Sequence, residues 1–204
     1  RLNVLDQFVD YFVIVESKFT HKGDQRNLRF DIKKFKKFEN KIIYLIYEEQ
    51  PKEVQTIKIE EDNFEKTKKY VSNAIFRENG QRNYITKGLD KADDNDMILV
   101  SDVDEIPNLS NVNFNKINEK IVLFRQNMFY YKFNLHLPNL AWSGTKACKK
   151  KDLINPQWLR NIKNRKYPLF RIDTFFSKAK YKNIKIFNNG GWHFTNIKTA
   201  KEIE

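Results

Sequence analysis

Apolar positions along the chain fall into a few short continuous runs separated by polar, lysine-rich stretches. Leu2, Leu5, Phe8 and Val9 recur at helical spacing, and Tyr11 to Val15 then form a continuous apolar run that ends at Glu16. A second run spans Ile42 to Ile46 and a third Met97 to Val100. Runs of this kind suit strands buried on both faces, as in parallel sheets covered by helices, and they predict an α/β architecture. Between the second and third runs, Phe64, Lys68, Val71 and Ile75 share one face of a predicted helix. Asn79-Gly80 reads as its stop, with a further helix over Gln81 to Leu89. The second half has shorter runs, Ile121 to Phe124 and Phe129 to Phe133, a loop at Pro138, and a Gly190-Gly191-Trp192-His193 segment. It predicts a mixed sheet with long loops, so the expected whole is a mixed, mostly parallel sheet flanked by helices. No repeat, Pro-rich linker or low-complexity block divides the halves, and one domain over residues 1–204 is expected.

The third run changes the picture because it leads into a cluster of acids. Ser101-Asp102-Val103-Asp104-Glu105 stands directly after the apolar strand, and Ile106-Pro107 closes it. In open α/β sheets ligands collect at the carboxyl ends of strands. Two carboxylates one residue apart at such a place can splay, one to ligate a divalent cation that takes hard oxygen ligands and the other to accept hydrogen bonds from ribose hydroxyls. The cation would neutralise charge developing on a diphosphate leaving group. An acidic surface turn also satisfies an Asp-x-Asp pair. A phosphatase-like Asp-x-Asp-x-Thr nucleophile is disfavoured, because Ile106 stands where the threonine belongs.

Composition adds limits. The chain has 204 residues, 40% hydrophobic and 14% aromatic, enough apolar surface for one substantial core. Its net charge of +12 favours an anionic partner: nucleic acid, an anionic membrane face or a nucleotide diphosphate, with a solvated lysine coat as the bland alternative. Cys148 is the only cysteine, so no intrachain disulfide forms within these residues. Flanking lysines would suit a nucleophile, but a small strand residue is the simpler role. No stretch reaches the ~20 apolar residues of a membrane span, and the basic start is not followed by a signal-peptide core. A soluble chain is expected, with the cytoplasm favoured and the Golgi lumen open if an anchor lies upstream.

Four stretches occur in an informative order: Val9-Asp10-Tyr11-Phe12-Val13-Ile14-Val15-Glu16-Ser17, Gln81-Arg82-Asn83, Ser101 to Pro107, and Gly190-Gly191-Trp192-His193-Phe194. Together the chain resembles glycosyltransferase family 17, the β-1,4-mannosyl-glycoprotein N-acetylglucosaminyltransferases. The resemblance implies a GT-A type fold, a UDP-sugar donor, a glycan or glycoprotein acceptor, Mn²⁺ or Mg²⁺, and transfer with inversion at the anomeric carbon. It also implies a first strand before Arg1 and a helical tail after Glu204. Carried onto this sequence, it makes Asp104 the direct metal ligand, Asp102 a contact to ribose or a metal-bound water, and His193 a second protein ligand. A histidine packed beside Trp192 is the alternative.

Other candidates rest on residue chemistry. Arg82 and Asn83 on the predicted helix suit phosphate or an acid of the site, or a solvated face. Glu16 at a strand end suits the nucleotide, or a lysine partner. An inverting displacement needs a base for the acceptor hydroxyl, for which Glu105 and Asp173 are candidates, Glu105 serving equally as an orienter. Trp142, beside Ser143-Gly144, and Tyr130 are the candidate faces for an acceptor sugar, with alternation placing Tyr130 opposite Phe129 and Tyr131. Two other functions stand beside sugar transfer. One is a basic nucleic-acid-binding module, which lacks any recognisable motif, so no nucleic acid is expected as partner. The other is a family member that binds glycans without transferring sugar.

Overall fold

The computed structural model describes residues 1–168 and 170–198. The chain opens with a single helical turn, α1 (Leu2–Leu5). The remainder falls into two compact units, one built from Val9–Lys91 and the other from Ala92 onward together with Asn3–Phe8.

In the Val9–Lys91 unit, strands β1 (Phe12–Ser17) and β2 (Ile42–Tyr47) are the first two apolar runs, and they pair in parallel from Phe12↔Ile42 to Ser17↔Tyr47. A 3-10 helix, Ile32–Lys41, connects them, opened by the Asp31 carboxylate accepting from the Lys33 amide. Helix α2 (Asn63–Asn83) is capped by Asp62, whose side chain accepts from Glu65 N at 2.9 Å. It runs straight through Asn79-Gly80, where the sequence predicts a stop, and passes into a 3-10 helix at Tyr84–Gly88. Gly80 serves packing rather than termination: a Cβ there would stand 2.5 Å from the Tyr47 hydroxyl. The expected apolar face is also misplaced, since Phe64, Val71 and Ile75 are exposed. The buried residue of α2 is Asn73, whose amide exchanges two 2.8 Å hydrogen bonds with the backbone of Gln55. Satisfying that backbone decides which side of the helix faces inward.

The second unit holds a six-stranded sheet: β3 (Met97–Val100), β4 (Glu105–Pro107), β5 (Ile121–Tyr130), β6 (His136–Lys149), β7 (Ile184–Phe187) and β8 (Gly191–Thr195). The spatial order is β3-β6-β5-β8-β4, with β7 also paired to β5. Strands β5 and β6 form a long antiparallel hairpin, and β5 takes β7 and then β8 in parallel along its other edge. Strands β3 with β6, and β4 with β8, are antiparallel. Among the described residues three strand pairs are therefore parallel and three antiparallel. The sheet is mixed, as expected, but without the expected parallel majority, because the hairpin and the short returning strand β4 reverse direction.

The core of this unit is the run Ile121–Phe124 with Leu159, Ile162 and Ile184, all essentially without exposure. Leu159 belongs to helix α3 (Pro156–Asn161), which starts as its sequence dictates: Asn155 Oδ1 accepts from Trp158 N at 2.7 Å and Pro156 occupies the first turn. At the far end Lys146 of β6 donates to the carbonyls of Arg160 and Ile162, at 2.6 and 2.5 Å. Burial lowers the Lys146 ammonium to about 8, with Arg160 adding to the effect. Cys148 is buried on β6, and burial pushes its thiol up to about 12, so it packs and does not react.

Candidate functional site

Residues 101–104 turn from β3 into β4. Val103 stands at the tip, 88% exposed, while Glu105 at the start of β4 is fully buried. The turn closes on itself: Glu105 N donates to Asp102 O at 3.1 Å, and Asp102 N donates to Glu105 Oε2 at 3.0 Å. Two arginines meet this turn: Arg1 Nη1 donates to the Asp102 carbonyl at 2.7 Å, and Arg160 holds both carboxylates. Arg160 of α3 donates Nη1 to Glu105 Oε2 (2.8 Å) and Nη2 to Glu105 Oε1 (2.9 Å), and Nη2 also reaches Asp102 Oδ2 at 2.8 Å. Its Nη1 further donates to Gly144 O at 2.6 Å. A fork-to-fork arginine–carboxylate pair is among the strongest ionic hydrogen bonds and fixes orientation as well as distance.

Glu105 accepts one more bond, from Trp142 Nε1 to Oε1 at 2.8 Å. Both carboxylate oxygens thus carry two donors each, which leaves no lone pair for an acceptor hydroxyl. The Glu105 carboxylate is held in one orientation with both oxygens engaged.

Strand β4 lies against β8, with Glu105 opposite His193, Ile106 opposite Trp192 and Pro107 opposite Gly191. Two motifs about 90 residues apart in sequence are neighbouring strands. Phe194 N donates to Asp104 O at 2.9 Å, and His193 Nε2 stands 3.1 Å from Asp104 Oδ2. His193 is itself buried: its Nδ1 lies 2.8 Å from Met128 Sδ, and the Trp142 indole stacks on its ring, centroids 5.0 Å apart and planes 13° from parallel. The Gly-Gly pair permits this pairing. Gly191 has φ +125, and a Cβ there would meet the Ile106 carbonyl oxygen at 2.0 Å; one on Gly190 would meet the Phe124 Cα at 2.9 Å. The glycines bring β8 backbone onto β4 and β5.

Trp142 is partly exposed, in keeping with its place beside Ser143-Gly144, but its N–H and one ring face are engaged by Glu105 and His193. Tyr130 ends β5, its ring tilted against Tyr131 at 5.5 Å. Tyr131 has φ 61, so the chain leaves the strand there and the alternation expected to place it opposite Tyr130 does not extend to it.

The other sequence candidates have partners of their own. Asp173 is held by Arg171 (2.7 and 2.8 Å) and Lys180 (2.8 Å), which keep its carboxyl far below the usual carboxylate range, the reverse of what a base needs. Glu16, Arg82 and Asn83 belong to the Val9–Lys91 unit. Glu16 accepts from the Arg29 and Phe30 amides at 2.8 and 3.0 Å and from the Tyr44 hydroxyl at 2.8 Å. Burial pushes its carboxyl up, but these donors and Arg26 outweigh it and the net shift is downward. Arg82 pairs with Glu78 one turn back at 2.7 Å, and Asn83 is the last residue of α2.

Sequence reasoning missed Arg160. Its only local signal is the Asn155-Pro156 helix start five residues earlier, and nothing separates it from the other members of a set of 38 lysines and arginines. Met128 was missed for the same reason: strand register, not sequence spacing, puts it opposite His193.

The family model of glycosyltransferase family 17 matches residues 1–156. This chain belongs to glycosyltransferase family 17. The match spans the acidic turn and Trp142, and ends before Arg160 and β8. No curated protein and no solved structure matches the chain. Family membership carries a glycosyltransferase-like function in general, and the α/β architecture with its mixed sheet agrees with it.

Among the described residues no group of three or more His, Cys, Asp or Glu side chains could by itself hold a metal ion. Asp104 and His193 supply one carboxylate oxygen and one imidazole nitrogen. Such a pair would fit a cation that accepts an imidazole beside a carboxylate and takes its remaining ligands from phosphate oxygens and water. It does not fit an all-protein cage.

Proposed function

We propose that this chain is an inverting, cation-dependent glycosyltransferase that moves a sugar, N-acetylglucosamine by the family resemblance, from a UDP-sugar to a glycan hydroxyl. The observation that carries the reading is the contact of His193 with Asp104, which joins the Gly-Gly-Trp-His strand to the Asp-x-Asp turn. Asp104 and His193 would hold Mn²⁺ or Mg²⁺, which supplies charge neutralisation at the leaving diphosphate. Asp102, partly exposed at the turn, is the group aimed at the ribose, and Arg160 fixes its direction. Trp142 offers its free face to the acceptor sugar. In the displacement the acceptor oxygen bonds to the anomeric carbon, the bond to the diphosphate breaks, and the acceptor proton passes to a base. Glu105 stays out of that transfer, committed to Arg160 and Trp142.

The test is a thermal-shift panel of UDP-sugars with Mn²⁺ or EDTA, followed by donor hydrolysis and transfer assays. A Mn²⁺-dependent rise in Tm with one UDP-sugar, lost in Asp104→Ala and in His193→Ala, supports the reading. No shift with any UDP-sugar and metal overturns it. A shift without turnover identifies a glycan- or nucleotide-binding member that does not transfer sugar.

A further inference from the structure

The segment from Lys163 to Lys182 plays no part in the site above, yet it is built to present something. Four large apolar side chains stand open to solvent within seven residues: Phe170 (80% exposed), Ile172 (70%), Phe175 (76%) and Phe176 (86%). Around them, residues 163–182 contain seven lysines and arginines and a single acid, Asp173.

The exposure comes from ordered geometry. At its base the segment is tied down by Trp158 Nε1 donating to Lys178 O (2.7 Å) and Lys163 N donating to Ala179 O (2.8 Å). At its apex a 3-10 turn, Ile172–Thr174, buries Thr174, whose hydroxyl donates to Arg171 O at 2.7 Å, and Phe175 N donates to Ile172 O at 3.0 Å. With Thr174 turned inward, its apolar neighbours face out. The one acid is neutralised from both sides by Arg171 and Lys180, and Lys182 Nζ sits 4.0 Å from the centre of the Phe175 ring.

Clustered exposed apolar side chains mark an interaction surface. Phenylalanine and isoleucine carry no polar handle, and cations beside them match the layering of a bilayer interface, acyl chains below and phosphates above. Nucleic acid would use the same charge and could stack on the three phenylalanines, but stacking leaves the Ile172 side chain without a partner, whereas a bilayer interface takes up all four. Among the described residues no helix is long and apolar enough to cross a membrane, so the mode that fits is attachment at the surface.

We propose that the 163–182 segment docks this chain onto an anionic phospholipid surface, with Phe170, Ile172, Phe175 and Phe176 entering the headgroup region and the surrounding lysines and arginines meeting lipid phosphates. The charge complementarity, seven cations to one paired acid, selects an anionic surface over a neutral one.

The experiment is vesicle flotation with phosphatidylcholine alone and with an equimolar mixture of phosphatidylcholine and phosphatidylglycerol. The wild-type chain is expected to float with the anionic vesicles and roughly tenfold less with the neutral ones. The Phe175→Ser/Phe176→Ser double variant, with an unchanged melting curve, should lose about tenfold or more of that binding. In parallel, tryptophan emission of a Phe176→Trp variant should shift to the blue on adding anionic vesicles. Wild-type flotation by the double variant overturns the proposal, as does absence of a blue shift. So does binding to a labelled oligonucleotide that the double variant loses and anionic vesicles fail to displace.

Discussion

At the residue scale, Arg160 meets a fully buried carboxylate and a partly exposed one with the same guanidinium. Removing one partner of a buried pair leaves the other charged and desolvated. Arg160→Met is therefore expected to lower stability by about 3–5 kcal/mol in urea denaturation. Arg160→Lys should recover only part of this, because an ammonium cannot serve Asp102 and both oxygens of Glu105 at once. Trp142→Phe probes the same carboxylate more gently. It keeps a ring over His193 but deletes the donor to Glu105 Oε1, and an expected loss of about 1–2 kcal/mol should appear in the same titration. The acidic turn was legible from sequence because a polar triplet after an apolar run is a local signal. Arg160 was not, since its partnership depends on where α3 packs.

At the scale of elements, the strand runs were readable and their directions were not. A continuous apolar run says that both faces are covered; the start of β5 satisfies that, whereas the apolar residues of β1 and most of those of β2 are half-buried and β3 buries alternate positions, and the run is silent on the direction of the neighbouring strand. Helix α2 shows a second limit. Its apolar spacing was real, yet the buried position went to Asn73, which satisfies the Gln55 backbone. Ile75→Lys should consequently change stability by no more than about 0.5 kcal/mol, where a core position would cost several times that. Gly191→Ala should be severe. With φ +125 and the Ile106 oxygen in the way, a loss of about 3 kcal/mol or more, or failure to fold, is expected from thermal denaturation. Lys146 gives a pH signature. Its folded value of about 8 lies below the ordinary lysine value of 10.5, so the buried ammonium penalises the fold at and below pH 8. Above that the unfolded chain binds more protons, and this contribution makes stability rise with pH up to the unfolded value. Comparing unfolding titrations of wild type and Lys146→Met across that range should isolate the effect.

At the scale of the whole molecule, family membership and the positive charge were both visible in the sequence, while the division into two compact units was not, because no change in composition marks Ala92. A UDP-sugar with Mn²⁺ at about 100 times its Kd is expected to stabilise the native state by about 2.7 kcal/mol, and EDTA should abolish the gain. Of the 38 lysines and arginines, seven lie in the 163–182 segment.

The long reach of Arg160 also sets an order of events during folding. Glu105 and its guanidinium partner are separated by 55 residues, and α3 must be in place before that carboxylate can leave water at tolerable cost. A chain growing from its N-terminus makes the acidic turn and β5 well before it makes α3. Until then β4 has a charge it cannot bury, so the turn that would bind donor is closed late in folding and is expected among the first parts to open when the protein is stressed.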